Sequence, residues 1–229
     1  KVLKYTDPKP GMRILDVGCG RGESLVWLAY QGVEAWGLDY AVDALRLAAQ
    51  AVQALGLEGS ERCRLLAANA RHLPFVPKVF DRVLMLDIVE HLHPWELEQA
   101  LSEIWRILRP GGKLVVHTAP NLWYYRFGYP LFRIFERLRG VRLPKDPRQR
   151  FRYHTLMHVN EQSPLSLRRV LQRRGFCSRV WLLRGAADVG GHAGQVAQVV
   201  NLVQWLPVFR WIFRNHIVAI AEKPLMQVR

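Results

Sequence analysis

The chain is 229 residues long and half of them are hydrophobic, enough to bury one substantial core, which excludes a disordered chain and favours a single domain. Its formal charge is +14, from 33 Lys and Arg against 19 Asp and Glu, an excess that suits nucleic acid, anionic lipid or a phosphorylated small molecule without choosing among them. Three widely spaced cysteines, Cys19, Cys63 and Cys177, form no CxxC pair, which argues against a disulfide framework or a zinc ribbon and fits a reducing compartment.

In chain order, the opening "KVLKYTDPKPGMRILD" holds no long apolar stretch, so no secretory signal is expected; it begins with Lys instead of Met and reads as a trimmed start or a fragment. "RILDVG" (13–18) reads as a short aliphatic strand running into glycines, and "GESLVWLAYQG" (22–32) as a helix closed by Gly32. "VEAWGLDY" (33–40) is a second strand and "AVDALRLAAQAVQALG" (41–56) an Ala- and Leu-rich helix. "CRLLAAN" (63–69) and "FDRVLMLD" (80–87) are the third and fourth strands. "PWELEQALSEIWRIL" (94–108) is a helix with Pro94 in its first turn, and the turn "RPGG" leads into a fifth strand, "GKLVVHTA" (112–119). Later, "SPLSLRRVLQRRGF" (163–176) reads as a helix stopped by Gly175, followed by strands at 177–185 and 216–224. Strands alternating with helices imply right-handed crossovers and a parallel sheet covered on both faces.

The strongest chemical signal is "LDVGCGRG". Gly18, Gly20 and Gly22 stand at every second position between a strand and a helix, where missing side chains let a ligand lie on the backbone and the helix N-terminus. A dinucleotide fingerprint would need its third Gly at position 23, which is Glu23, and no Gly-Lys-Ser/Thr ending marks a Walker loop. Asp16 just ahead of the loop would repel a pyrophosphate and attract a cationic ligand. Asp39, about 20 residues on at a strand's carboxyl end, can accept two hydroxyl hydrogen bonds.

The segments "ILDVGCGRG", "WGLDY", "AANARHLPF", "FDRVLMLDIVEHL" and "ILRPGGKLVV" stand in the order found in class I S-adenosylmethionine-dependent methyltransferases, and the chain resembles that family over about residues 11–120. The resemblance implies an α/β fold: a doubly wound, mainly parallel seven-stranded sheet with helices on both faces. It implies S-adenosyl-L-methionine as cofactor, with Asp16 and the loop of Gly18, Cys19, Gly20 and Gly22 at its methionine end and Asp39 at its ribose hydroxyls. Tyr40, Ala70 and Asp87 are expected beside it. Where the family usually has an acid that meets the adenine amino group, this sequence has Asn69, whose side-chain oxygen can still accept that hydrogen bond.

"LDIVEHLH" (86–93) brings Asp87, Glu90, His91 and His93 together directly after an apolar run. In a helix, Asp87, Glu90 and His91 at i, i+3 and i+4 share one face; the spacing admits a metal site, an acid/base site or a polar helix start. Asp87 ends the fourth strand, so it is expected at the crevice. The trio also resembles the carboxylate-x-x-Glu-His arrangement of metal-dependent O-methyltransferases, among them ubiquinone-pathway and small-RNA 2′-O-methylating enzymes, which add a later His. "YHTLMHVNE" offers His154 and His158. Two expectations result: Asp87, Glu90, His91 and His158 as ligands of a divalent metal (Mg²⁺, Mn²⁺ or Zn²⁺), or a metal-free site in which His91, with Glu90 and Asp87, handles the substrate proton.

Residues 121–153 hold nine aromatic side chains and nine basic ones against Glu136 and Asp146, a charge of +7 on 33 residues. Within one domain spanning 1–229, the stretch 121–162 is expected as an aromatic and basic insertion. "LFRIFERLRG" has apolar residues at 131, 132, 134, 135 and 138 with arginines between, the pattern of a basic amphipathic helix. It could pack on the sheet, close over substrate, or dock on an anionic membrane. A second apolar stretch, "VVNLVQWLPVFRWIF" (199–213), is too interrupted for a membrane span. The resulting expectation is methyl transfer to a hydroxyl or related nucleophile of a small or lipid-linked, anionic acceptor, in the cytoplasm at the inner membrane face. An RNA methyltransferase is the alternative, although no RRM or KH signature accompanies the domain; a non-catalytic cofactor-binding protein is the third reading.

Overall fold

The computed structural model describes residues 2–54, 56, 62–150, 154–183 and 209–225. Seven strands form one sheet: β1 (Arg13–Val17), β2 (Glu34–Asp39), β3 (Cys63–Ala67), β4 (Phe80–Leu86), β5 (Leu108–Thr118), β6 (Cys177–Leu183) and β7 (His216–Glu222). Their order is β3-β2-β1-β4-β5-β7-β6. β7 alone runs against its neighbours, pairing antiparallel with both β5 and β6. Strand order therefore reverses between β1 and β4, the place where open α/β sheets carry their ligand crevice.

Alternation along the strands divides the core in two. Leu15 and Val17 of β1, Val83 and Met85 of β4 and Val116 of β5 pack with α3 (Pro94–Ile107) and α6 (Pro164–Arg173) on one face. Ile14, Leu84 and Val115 turn to the other face, against Leu25 and Leu28 of α1 (Glu23–Tyr30) and Leu45 of α2 (Val42–Ala54). These strands read as continuous aliphatic runs because both of their faces are buried. α3 begins with Pro94 and a reciprocal pair of bonds, one of them His93 N–H donating to Glu96 Oε2 at 2.9 Å, which serves the helix's orphan donors.

The sequence "RPGG" differs from its reading as a turn ahead of β5. Arg82 of β4 pairs with Lys113, two residues on from Phe80 but five on from its partner Leu108. The segment is thus a bulge inside β5, pinned to the far strand where Gly111 N–H donates to the Lys223 carbonyl (2.8 Å) and Lys223 N–H to the Gly112 carbonyl (2.9 Å). Gly111 takes φ +76° there, a conformation that glycine adopts without steric cost.

After β5 the chain enters the aromatic and basic stretch. A π turn at Tyr124–Gly128 runs into α4 (Tyr129–Leu138), which buries Tyr129, Phe132 and Glu136. The Tyr129 hydroxyl donates to the Pro144 carbonyl at 2.9 Å. The base of the stretch is held by buried Asn121, whose Nδ2 donates to the carbonyls of Trp211 and Arg214, both at 3.0 Å, beside α7 (Phe209–Phe213). A single turn, α5 (His154–Met157), precedes α6. Of the apolar stretch 199–213, positions 199–208 lie outside the described residues, as do 184–185 of the strand expected at 177–185.

Candidate active site

The loop between β1 and α1 takes φ of +76° at Gly18, +51° at Gly20 and +80° at Gly22. Added side chains would meet different fates. A Cβ on Gly18 would lie 2.6 Å from Ile88 Cδ1 and one on Gly22 3.0 Å from Ala48 Cβ, whereas one on Gly20 would meet nothing within 4 Å. Gly18 and Gly22 are required by packing; Gly20 leaves open space above the backbone. The loop is held by Asp39, whose Oδ2 accepts from Gly20 N–H (2.9 Å) and Oδ1 from Ala41 N–H (2.9 Å).

Asp16 is almost wholly buried. Its Oδ2 accepts from the Ser24 hydroxyl, while Oδ1 is buried without a hydrogen-bond partner among the described residues. Burial, against the opposing Ser24 bond and reinforced by the negative charge of Asp39, pushes its carboxyl up from 3.8 to about 7. A buried carboxylate with one unsatisfied oxygen costs free energy until a cation or donor meets it. Cys19 is also buried, and burial together with Asp16 and Asp39 pushes its thiol up to about 12; it remains a thiol, outside nucleophilic chemistry.

From this loop a cleft of about 430 Å³ opens between Gly18, Asp39 and Tyr40 on one side and Ile88, His91 and Met157 on the other. Asn69, Ala70 and Glu96 also line it, and Tyr40 stands largely exposed at its rim. The Asn69 oxygen, expected as an acceptor, already receives Arg71 N–H at 2.9 Å and Arg71 Nε at 3.2 Å. It closes its own turn instead of offering a vacant lone pair. Arg71, paired with Glu96 at 3.4 Å and lying 5.0 Å over the Trp95 ring, borders this wall. Sequence reasoning passed over both Arg71 and Glu96, because neither belongs to a recognisable spacing.

The "LDIVEHLH" residues part company. Asp87 bends the chain at φ +55°, and only Val89–His91 is helical, as one 3-10 turn; the common helical face is not formed. Asp87 Oδ1 instead lies 2.7 Å from His117 Nδ1, and His117 Nε2 lies 3.2 Å from His216 Nδ1 with the two rings stacked. A carboxylate can only accept, so Nδ1 of His117 carries the proton of that bond. Neither His117 nor His216 was picked out from the sequence. A single His near the end of an otherwise apolar strand was the one available signal.

Glu90, His91 and His158, by contrast, converge. One ligand atom from each lies within 4.8 Å of the others, and the rings of His91 and His158 are 5.0 Å apart. Backbone bonds explain the approach: the N–H groups of Val159 and Asn160 donate to the Glu90 carbonyl at 2.9 and 3.1 Å. Glu90 is buried, accepts from the Thr118 hydroxyl at 2.7 Å, and has its carboxyl raised by burial. His91 Nδ1 lies 3.0 Å from the Met157 carbonyl oxygen. That oxygen has no proton to give, so Nδ1 is the donor, and in the neutral ring Nε2 keeps its lone pair.

The sheet order, the glycine loop with its paired acids and the cleft at the β1/β4 reversal give the Rossmann-like fold shared with class I S-adenosylmethionine-dependent methyltransferases. Residues 15–116 match the family described as "Methyltransferase domain". Methyltransferase GfsG of Streptomyces halstedii is 35% identical over 117 residues, covering 51% of this chain and 41% of that protein. A demethylmenaquinone methyltransferase of Bacillus cereus (strain AH187) is 32% identical over 142 residues, 58% of this chain and 56% of its own length. The chain thus spans about half the length of these curated relatives. Geranyl diphosphate C-methyltransferase from Streptomyces coelicolor A3(2), solved with Mg²⁺, geranyl diphosphate and S-adenosyl-L-homocysteine, superposes with a TM-score of 0.66 at 15% identity, over 96% of this chain and 78% of that one; it shares the fold.

Proposed function

We propose that this chain transfers the methyl group of S-adenosylmethionine to a hydroxyl or related nucleophile of a small or lipid-linked acceptor. The observation that carries the reading is His91: fixed through Nδ1 by the Met157 carbonyl, it lines the cleft beside buried Glu90, and Nε2 is the acceptor of its neutral ring. The residues around the loop suit the cofactor. The unpartnered oxygen of Asp16 answers to an ammonium group, the open space over Gly20 to a ligand lying on the backbone, and Asp39 to vicinal hydroxyls. When bound, the cofactor supplies an electrophilic methyl on a sulfonium that is already an activated leaving group, so alignment accounts for most of the catalysis.

His91 then takes the acceptor's proton at Nε2, and the neighbouring Glu90 carboxylate favours the imidazolium that results. One carboxylate and two imidazoles also form a donor set suited to Mn²⁺, Fe²⁺ or Zn²⁺, and Mg²⁺ is compatible with the carboxylate. A metal at this set would be held by Glu90, His91 and His158, and it would supply the Lewis acidity that lowers a substrate hydroxyl's pKa. Asp87, held on His117, stands outside this set. The name of one relative, demethylmenaquinone methyltransferase, favours an acceptor with an apolar body.

Polar and lipid extracts incubated with isotope-labelled cofactor and read by mass spectrometry test the proposal. A labelled methyl on an oxygen-bearing lipid or small molecule, lost in His91→Ala, is expected. A labelled RNA and no labelled small molecule would replace the acceptor class. Failure of the protein to bind the cofactor by calorimetry would remove the enzyme reading. Turnover abolished by chelator and restored by Mn²⁺ or Zn²⁺ selects the metal form; turnover indifferent to chelator selects His91 as base.

A further inference from the structure

α4 has more apolar surface than it buries. Its inward side is Tyr129, Phe132 and Glu136, packed with Tyr124 and Leu143. Leu131, Ile134, Phe135 and Leu138 stand at i, i+3, i+4 and i+7, so they share a different stripe of the helix. They are 48%, 60%, 41% and 82% exposed, and Phe127, one turn earlier, is 48% exposed. One exposed leucine means little, but five large apolar side chains along one helical edge form a patch that needs a partner.

Charge identifies the partner. From Asn121 to Lys145 the chain carries a single acid, Glu136, and that acid is turned inward and paired with Arg139 at 3.3 Å. Arg126, Arg133 and Arg137 lie on the flank of the helix between the buried side and the apolar stripe. An apolar edge bordered by guanidinium groups and free of outward carboxylates matches the boundary between acyl chains and phosphate headgroups, where the side chains enter the hydrocarbon and the arginines pair with phosphate oxygens. A protein partner would require a complementary apolar surface but no particular charge; an anionic bilayer uses both features of this helix.

We propose that α4 lies flat on the surface of an anionic lipid bilayer through Phe127, Leu131, Ile134, Phe135 and Leu138, with Arg133 and Arg137 at the headgroups. The proposal rests on α4 and the π turn that leads into it, and is independent of the acceptor assigned above. α4 follows β5 by way of Asn121, at the crevice edge of the sheet, so docking in this way sets the cleft beside the membrane surface.

Vesicle flotation tests it, with the protein mixed separately with phosphatidylcholine vesicles and with vesicles that also contain phosphatidylglycerol. The parent chain is expected to float with the anionic vesicles and to be released by added salt. Ile134→Glu/Leu138→Glu should weaken partitioning at least about tenfold, since two apolar side chains leave the hydrocarbon and two charges repel the headgroups. Arg133→Gln/Arg137→Gln should weaken binding to anionic vesicles and leave the weaker binding to neutral ones unchanged. Cofactor affinity, read by calorimetry, should be the same in all three proteins and certifies the fold. Absence of flotation with anionic vesicles, or equal flotation of parent and Ile134→Glu/Leu138→Glu proteins, overturns the proposal. A parent dimer that becomes monomeric in Ile134→Glu/Leu138→Glu, with no vesicle binding, assigns the stripe to a second copy and overturns it equally, as does stripe-dependent binding to RNA alone.

Discussion

Replacement of Asp16 by asparagine probes a buried carboxyl with one unpartnered oxygen. The carboxyl is raised from 3.8 to about 7, which amounts to about 4 kcal/mol between the two protonation states. For an acid whose folded pKa lies above its unfolded value, the folded chain holds the proton longer than the unfolded chain does. Stability is therefore highest below the unfolded pKa and declines as pH rises through the window from 3.8 to about 7, above which the cost is fully developed. The substituted amide carries no charge and abolishes the decline, but its NH2 takes the place of the unpartnered Oδ1 and is itself an unsatisfied buried donor, costing about 1–3 kcal/mol. The net expectation is an unliganded Asp16→Asn protein about 1–3 kcal/mol more stable than the parent above neutral pH, an advantage that vanishes between about pH 4.5 and 6 and turns into a deficit of about 1–3 kcal/mol near pH ~4, where only the cost of the amide donor remains. Urea unfolding at several pH values, with parent and variant side by side, measures it. The same variant should bind S-adenosylmethionine much more weakly. Binding to the parent near neutral pH should release protons, visible as a calorimetric enthalpy that changes with the ionisation enthalpy of the buffer. Parallel stability curves for the two proteins across the window, or an enthalpy indifferent to buffer, would refute the reasoning.

Asp39→Ala should lower cofactor affinity roughly 10- to 100-fold, because it removes both the hydroxyl acceptors and the anchor of Gly20; calorimetry on the folded variant reads this directly, and unchanged affinity rejects the assignment. Gly18→Ala should destabilise the fold by about 1–3 kcal/mol through Ile88 and its positive φ, whereas Gly20→Ala should cost only about 1 kcal/mol of stability and act mainly on cofactor binding; denaturation and calorimetry on the pair separate the two roles. His91→Ala should reduce kcat by roughly 10²- to 10⁴-fold with cofactor affinity retained, and a variant within twofold of the parent would remove His91 from the reaction. His117→Phe should cost about 0.5–1 kcal/mol, since it strips a donor from Asp87 at its left-handed bend and the half-exposed carboxylate recovers part of that bond from water; urea midpoints indistinguishable from those of the parent would show the contact to be idle.

The strands flanking the glycine loop were legible because buried parallel strands are nearly continuous aliphatic runs, and Ile14 to Val17 and Val83 to Leu86 have few other uses. The glycine positions were legible for a related reason: a loop that must turn left-handed three times leaves little choice of residue. Helical spacing misled at Asp87. Its i, i+3, i+4 relation to Glu90 and His91 holds only if the backbone is helical from the first residue, and a bend at φ +55° sends the carboxylate to β5 instead. Asn69 was expected to keep its oxygen for a ligand, yet Arg71 two residues on takes it, a local competition that sequence spacing does not rank. The amphipathic helix over 131–138 was visible, but which of its apolar residues face inward was not. Of the five, the structure buries Phe132 and leaves the other four outside.

The bulge in β5 has an engineering consequence. Its three surplus residues, five steps against two, are taken up at the end of the sheet remote from the cleft. From Lys113 onward the pairing is regular on both sides, through His117 and Thr118, which serve Asp87 and Glu90. The irregularity is confined to the lower end of the strand, and the edge above it stands in regular register. A short tag or peptide grafted between Pro110 and Gly111 would lengthen a segment that already absorbs excess chain, and would leave the geometry at Thr118 untouched.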